Sequence, residues 1–364
     1  MRIAVIGGGH GCYAAAADFS EQGHEVHLWR RTATAFGPVA ESGTLTLIDA
    51  AKGSRQVPLA LVTDDIAAAL DGAELILSLL PATAQMDTAQ RLAPHLQDED
   101  VVFLAPGSFG SYVMAKELRR LGNVADVSFA DAGTLPYLAR KHGPEAIAIT
   151  ARATRLPTGV FPACNAEHAF ARLMAAYPAI EPRSDALDGA LMNAGPIIHP
   201  PLILLNAGPL QHFERWDIHS EGTQPFIRAV TDALDAERIA VREALGYGPP
   251  HFPLADHYDP EREEWMYGQI AHVDLQDSGD WRETIDLHEH RYMREDVALG
   301  LAFLVSVARY AGVPCPTAEA LLNIAAAGLG EALYDRGRTF ESLGLADLTP
   351  EQLKTLLHDG LTGA

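Results

Sequence analysis

Residues 1–12, Met-Arg-Ile-Ala-Val-Ile-Gly-Gly-Gly-His-Gly-Cys, decide the fold of the first half of this chain. Arg2–Ile6 is a short apolar run ending on a glycine cluster, the pattern of a buried strand. Tyr13–Gln22 is alanine-rich and stops at Gly23, the pattern of a helix with its terminator. Strand, glycine turn and helix in that order, inside about 30 residues, are the setting a dinucleotide fingerprint requires. Gly7 permits the tight turn and Gly9 lets the backbone approach a pyrophosphate. The helix start, with His10 and Gly11, offers N–H donors and a partial positive charge. Cys12 stands at the third glycine position and is small enough to preserve helix–strand packing.

Outward from this unit the alternation continues. Glu25–Arg30, Ala73–Leu80, Val101–Leu104 and Val127–Ala130 read as strands, and Thr83–Leu96 and Val113–Leu121 as helices. Such alternation predicts right-handed βαβ units and a doubly wound parallel sheet. Two strands end at Pro81 and at Pro106-Gly107, which makes Pro81 and Gly107 further candidate cofactor contacts. NAD-preferring sites carry an acid at the end of the second strand. Here that place reads Arg30-Arg31-Thr32, with no acid, and two guanidiniums and a hydroxyl suit a 2′-phosphate. The expected cofactor is therefore NADP(H), with NAD(H) the alternative.

The second half changes character. Around Pro182–Pro253, and again from Val297 onward, helix follows helix, so the chain divides into a dinucleotide-binding α/β domain over 1–184 and an all-helical domain over 185–364. Between the two helical stretches, Asp256–Asp296 is polar and irregular, with thirteen Asp/Glu against four Arg, and reads as a solvated rim. A rarer reading makes it a recognition surface for a cationic amine. Trp265, Met266 and Tyr267 within it read as core.

Composition narrows the function. The 364 residues carry 27 Lys plus Arg against 48 Asp plus Glu, a formal charge of −21, which disfavours nucleic acid as a partner. Cys12, Cys164 and Cys315 lie far apart, which fits a reducing compartment rather than a disulfide framework. No apolar run is long enough for a membrane span, and the expectation is a cytoplasmic protein. The sequence allows a homodimer.

Two segments of the second half carry candidate chemistry: Asn193-Ala-Gly-Pro-Ile-Ile-His199-Pro-Pro and His290-Arg291-Tyr292-Met293-Arg294-Glu295-Asp296-Val297. A histidine is suited to proton transfer near neutral pH, a carboxylate can orient its ring, and an arginine can clamp a substrate carboxylate. Spacing alone leaves bland roles open. On spacing alone His199 reads more readily as a core histidine, Asp296 as a helix cap, and Arg291 as neutralising its acidic neighbours. His288 and His290 with Asp286 and Glu289 could be imagined around a cation, but a charged loop explains them more simply, and no metal ligands are assigned.

Five stretches in order resemble the octopine/nopaline (opine) dehydrogenase family, and most closely its bacterial N-(1-carboxyethyl)-norvaline type. They are Gly7–Gly11, Thr134-Leu-Pro-Tyr137 with Arg140, Asn193 through His199-Pro200 to Leu204-Leu-Asn-Ala207, Arg291-Tyr292 with Glu295-Asp-Val297, and Gly337-Arg-Thr339 with Leu343-Gly-Leu345. The resemblance implies a Rossmann domain followed by an all-helical domain, with catalysis in the cleft between them. It implies condensation of an α-keto acid, usually pyruvate, with the amino group of an amino acid, and reduction of the imine by nicotinamide hydride. It makes His199 the catalytic histidine, Asp296 its partner, Arg291 the keto-acid anchor and Asn193 a polar neighbour of nicotinamide and substrate, while Tyr137, near the expected cleft, reads equally as a substrate contact or as packing. Hydroxy-acid, ketopantoate-like and glycerol-3-phosphate-like dehydrogenases share the two-domain plan. They generally place a lysine at the start of the helical domain, and Asp188–His199 contains none. A non-catalytic NADPH-binding regulator would not need the His199, Arg291 and Asp296 set.

Overall fold

The computed structural model describes residues 1–49, 52–262, 265–269 and 271–361. The chain forms two compact units, one of residues 1–190 and 355–364, the other of residues 191–354. The sequence places the division at 184/185 and gives the whole C-terminus to the second domain. In the structure it falls after Ala190, and the last ten residues belong to the first unit. The helix Ala186–Ala190 packs on a strand of the first unit, and Gly159 and Gly189 meet there with no room for a Cβ on either.

Among the described residues, the first unit is built on twelve strands: β1 Arg2–Ile6, β2 Glu25–Trp29, β3 Thr44–Asp49, β4 Gly53–Pro58, β5 Leu61–Thr63, β6 Leu75–Ser78, β7 Val101–Leu104, β8 Ser128–Ala132, β9 Tyr137–Lys141, β10 Ala146–Arg152, β11 Leu156–Phe161 and β12 Ile180–Pro182. Eight of them form one sheet in the order β12-β11-β8-β7-β6-β1-β2-β5. From β5 to β8 every neighbour is parallel, and β11 joins β8 antiparallel. The chain goes from β1 to β2 on one side and returns to β6 on the other, so the strand order reverses beside β1, the crevice where doubly wound sheets bind ligands.

A second sheet, β4-β3-β10-β9, is absent from the sequence-based expectation. Helix His10–Glu21 packs against strands of both sheets. This is why it is alanine-rich: Cys12 through Ala17 are fully buried, and only small side chains let two sheets approach one helix so closely. Its Asp18 is buried and bonded by the Arg152 guanidinium at 2.9 Å and by the Tyr137 hydroxyl at 3.1 Å, while Arg152 also reaches Asp49 at 2.8 Å. Both carboxylates are thus answered, as buried charges require.

Among the described residues, the second unit is helical apart from a two-residue antiparallel pairing of Trp216–Asp217 with Arg282–Glu283. Its main helices are Gly195–Leu204, Pro225–Ala244, a π-helical segment Tyr292–Leu301 that continues as Ala302–Ala311, and Pro316–Leu329. Arg238 of the long helix pairs with Asp235 at 2.7 Å and bonds the carbonyl of His251, pinning the following loop. The Asp256–Asp296 stretch is not simply a solvated rim. Asp256, His257, Trp265, Met266 and Tyr267 are buried, and Arg228 lies 4.5 Å from the Tyr258 ring. That guanidinium comes from helix Pro225–Ala244 and packs onto the segment. Among the described residues, no group of three or more His, Cys, Asp or Glu is placed to hold a metal ion, and no helix is long and apolar enough to cross a membrane.

Candidate active site

The C-terminal edge of the parallel strands in the first unit collects the fingerprint residues. Gly7–Cys12 follow β1, Arg30–Thr32 follow β2, Pro81 lies beyond β6 and Gly107 beyond β7. Gly7 has φ +124°, and a Cβ there would press on Leu80 and Cys12, so only glycine fits the turn. Gly9 caps helix His10–Glu21 without any side-chain bond to the first-turn amides, and a Cβ at Gly9 would meet nothing within 4 Å. Uncapped amides beside open space at a helix start are what a pyrophosphate needs, and the residues fit a dinucleotide. Gly11 admits Leu135 against the helix. Cys12 is buried against the Ile6 and Leu79 carbonyls at 3.5 Å, and burial pushes its thiol up to about 11, so it packs and does not react. The three cysteines are free thiols.

Arg30 is half-buried, bonding the Tyr13 hydroxyl at 3.2 Å and the Ala35 carbonyl, and lies against Gly8, where a Cβ would collide with its Nε. Arg31 and Thr32 are exposed, and Arg31 lies 3.9 Å from Asp87. Pro81 opens a short 3-10 turn, and Gly107 admits Asp131 where a Cβ would collide with it. Tyr137 is 2 % exposed, with its hydroxyl on Asp18 and 3.4 Å from that of Tyr177, so it packs in the core of the first unit, the second of the two readings its sequence allows. The sequence also gives no signal for Lys141, whose ammonium lies 3.4 Å from the Gly8 carbonyl and 3.6 Å from the Tyr13 ring centroid. Its backbone N–H donates to His10 Nδ1 at 2.8 Å, and only the pairing of β9 alongside the helix brings these together.

In the second unit, His199 and Asp296 meet across 97 residues of sequence. Nδ1 of His199 lies 2.7 Å from Oδ2 of Asp296. The Asp296 side chain is 5 % exposed and that of His199 15 %, so the acid is sealed and the imidazole reachable. Burial pushes the Asp296 carboxyl up to about 7, and the Arg291 charge pulls it back down. The Tyr292 ring stacks on His199 with centroids 3.8 Å apart and planes 19° from parallel, and His219 meets the imidazole edge-on at 5.9 Å. Ring orientation is thus fixed by a hydrogen bond and a stack together. Arg291, exposed, holds its guanidinium 5.0 Å from the centroid of Tyr292.

The backbone explains why the two segments can close so tightly. Helix Gly195–Leu204 carries Pro196 in its first turn and Pro200 and Pro201 inside, directly after His199. The two internal prolines offer no N–H to the preceding turn and stiffen the chain at the histidine. Asn193 Oδ1 accepts the Gly195 N–H at 3.0 Å, so Asn193 shapes the entry to this helix. A Cβ on Gly195 would collide with Asp296 Oδ1, and one on Gly300 would collide with Pro196. The π-helical winding from Tyr292 places Tyr292, Asp296 and Gly300 on the side packed against that helix, and such winding recurs at functional sites. Gly195→Ala therefore displaces the carboxylate. The expected result is a loss of about 10²-fold in kcat/KM from misplacement of the pair, with a melting temperature lowered by only a few degrees. Steady-state rates and a thermal melt check both, and unchanged kcat/KM would show the pair tolerates the shift.

Comparisons with known proteins agree with this arrangement. Residues 182–329 match the family described as NAD/NADP octopine/nopaline dehydrogenase, alpha-helical domain, and residues 2–126 match NAD-dependent glycerol-3-phosphate dehydrogenase N-terminus. The chain is 25 % identical over 361 residues to an opine dehydrogenase of Arthrobacter sp. (strain 1C), covering 98 % of each. It is 25 % identical to octopine dehydrogenase of Mizuhopecten yessoensis, covering 91 % of this chain and 90 % of that protein. Its fold is similar to octopine dehydrogenase solved with NADH and L-arginine, with TM-score 0.69 and 17 % identity over 100 % of this chain and 99 % of that one. These matches span both units in one order: residues 182–329 carry the helical domain of the octopine/nopaline dehydrogenases, and the chain is similar to opine dehydrogenases along nearly its whole length.

Proposed function

We propose that the protein joins an α-keto acid, pyruvate the first choice, to the amino group of an amino acid and reduces the product to a secondary-amine dicarboxylate, with the reverse oxidation at the same site. The observation that carries this reading is the 2.7 Å pairing of a reachable His199 with a sealed Asp296, one residue series away from the exposed Arg291.

The chemistry assigns each group a task. Attack of the amine on the keto carbon forms the C–N bond, and a proton passes from nitrogen to oxygen. Loss of water then breaks the C–O bond, and the departing oxygen needs a second proton. His199 in its protonated form supplies that proton, and in the reverse direction takes it from the attacking water. Asp296 holds the proton of Nδ1, which makes Nε2 the working nitrogen and stabilises the imidazolium. Arg291 binds the keto-acid carboxylate in a two-point contact and so fixes which face of the imine is reduced. The nicotinamide, when bound, supplies the hydride. Gly7, Gly9, His10, Gly11 and Cys12 would hold its pyrophosphate end, and Asn193 would keep the Gly195 turn open beside the pair.

The reading prefers NADPH, because Arg30-Arg31-Thr32 stands where an NAD site carries an acid. The separated free thiols fit the reducing cytoplasm. Octopine dehydrogenase has been solved with pyruvate and with L-arginine, which supports the two substrate classes here. The test follows absorbance at 340 nm with NADPH or NADH, pyruvate, and a panel of amino acids. Oxidation that needs both pyruvate and an amino acid is expected, with kcat/KM at least tenfold higher for NADPH. Reduction of the keto acid alone would make the protein a hydroxy-acid dehydrogenase, and an NADH preference would overturn the cofactor reading.

A further inference from the structure

Gly8 lies between two cations that no acid answers among the described residues. Arg30 presses its guanidinium against the Gly8 backbone and bonds the Tyr13 hydroxyl. Lys141, from a different sheet, places Nζ 3.4 Å from the Gly8 carbonyl and 3.6 Å from the Tyr13 ring centroid. The Arg30 guanidinium carbon is 6.0 Å from that same centroid. Among the described residues, neither cation has an ion-pair partner, and the charge that acts most on Lys141 is Arg30 itself. Burial first, and then the Arg30 charge, bring the Lys141 ammonium down to about 8. Two like charges gathered around one aromatic ring are unfavourable until an anion joins them.

Position says which anion. Trp29 pairs with Ile6 in the sheet, and the Gly7 N–H donates to the Trp29 carbonyl at 2.9 Å. Arg30 therefore begins where a dinucleotide's adenosine ribose lies, at the end of the second strand. The pyrophosphate belongs to the amides that follow Gly9. We propose that Lys141 and Arg30 together seat a phosphomonoester on the 2′ position of that ribose, and that Lys141 is the residue by which the chain discriminates a 2′-phosphate from a 2′-hydroxyl. The proposal rests on the NADPH reading above and adds to it a residue more than a hundred positions from the glycine turn. A 2′-hydroxyl gains little from the ammonium, whereas a dianion needs it. Lys141 is bound to Tyr13 by its cation and not by a carboxylate, so it can turn to a phosphate without breaking an ion pair.

The experiment measures binding to the full chain by calorimetry, with 2′,5′-ADP and 5′-AMP as probes, for the wild type, Lys141→Met and Lys141→Arg. Wild type is expected to bind 2′,5′-ADP more tightly than 5′-AMP. Lys141→Met should lose about 10- to 100-fold for 2′,5′-ADP, as expected for a charge-assisted bond, and less than twofold for 5′-AMP. Lys141→Arg should restore most of the loss, and melting curves should show all three folded. If wild type does not prefer 2′,5′-ADP, the NADPH reading falls and this proposal falls with it. If wild type prefers it and Lys141→Met keeps that preference, only this proposal falls. Equal weakening of both probes would also overturn it, placing Lys141 on the 5′-phosphate or in the packing of the turn.

Discussion

Asp296→Asn is expected to lower kcat by about 10³-fold while leaving the protein as stable as the wild type, or more so, at pH 8. The two effects share one cause. Asp296 is buried, and its carboxyl is raised to about 7 in the folded chain, well above the usual carboxylate value. Between roughly pH 4 and pH 7 the folded state holds a proton that the unfolded state has lost, so folding stability falls as pH rises through that range. Above it, the wild type bears the full cost of a sealed carboxylate. Asparagine carries no charge and escapes that cost, so the variant's melting temperature should gain on the wild type from pH 5 to pH 8. It cannot accept the Nδ1 proton as an anion, however, and it can donate its own N–H to that nitrogen. The imidazole then carries its proton on Nε2, the wrong tautomer for accepting one there, and the imidazolium loses its counter-charge. In the wild type, kcat should fall on the acid side of about pH 7, as the pair gains the proton that neutralises the acid, with the apparent value belonging to the pair. Rates against pH and melts against pH decide the matter. A variant within fivefold of wild-type kcat would show that Asp296 does not orient His199, and a variant destabilised at pH 8 would show the buried charge is stabilising.

How much of this was legible from the chain depends on how local each feature is. The β1–turn–helix unit was readable because its strand, glycines and alanines are contiguous, and each residue type answers a constraint within its own stretch. The β4-β3-β10-β9 sheet was not. Thr44–Asp49 alternates half-buried and buried residues, so its apolar content looks too thin for a strand, and its partner lies a hundred residues on, Thr46 beside Ala146. The alternation Leu45–Leu47 was the available signal. Missing that sheet had consequences at the level of side chains. Tyr137 stood open between substrate contact and packing, and it is β9, packed on the first helix, that buries the phenol on Asp18. The same packing brings Lys141 to Gly8, which nothing in its local sequence suggests. His199 and Asp296 were nameable from family resemblance, whereas the Gly195 and Gly300 contacts that let them close depend on how two helices cross. The polar segment 256–296 failed for a related reason. Its buried His257 and Trp265 are spaced irregularly, and charge density alone could not reveal them.

Replacing Arg291 should separate the two substrates. Arg291→Leu is expected to raise KM for pyruvate by about 10²-fold or more, the cost of losing a charged partner for a carboxylate, and to lower kcat as well because the keto carbon is no longer held for reduction. Arg291→Lys should recover part of the KM but little of the kcat, since an ammonium binds a carboxylate as a point charge and not through two parallel bonds. The affinity for NADPH should not change, because the cofactor residues belong to the other unit. Arg291 is exposed, but its charge lowers the buried Asp296 carboxyl, so the leucine variant should leave that carboxyl higher and cost some stability above about pH 7, read from melts against pH. The amine's KM is the discriminating quantity. Both substrates carry a carboxylate, and one guanidinium can serve only one of them in a two-point contact. If the leucine variant raises KM for the amino acid and spares pyruvate, Arg291 anchors the amine, and the face of the imine presented for reduction is set from the other side. If it raises KM for pyruvate alone, a neutral ketone of the same size should show equal kcat/KM with wild type and variant. That equality would locate the whole effect of Arg291 in its contact with the keto-acid carboxylate.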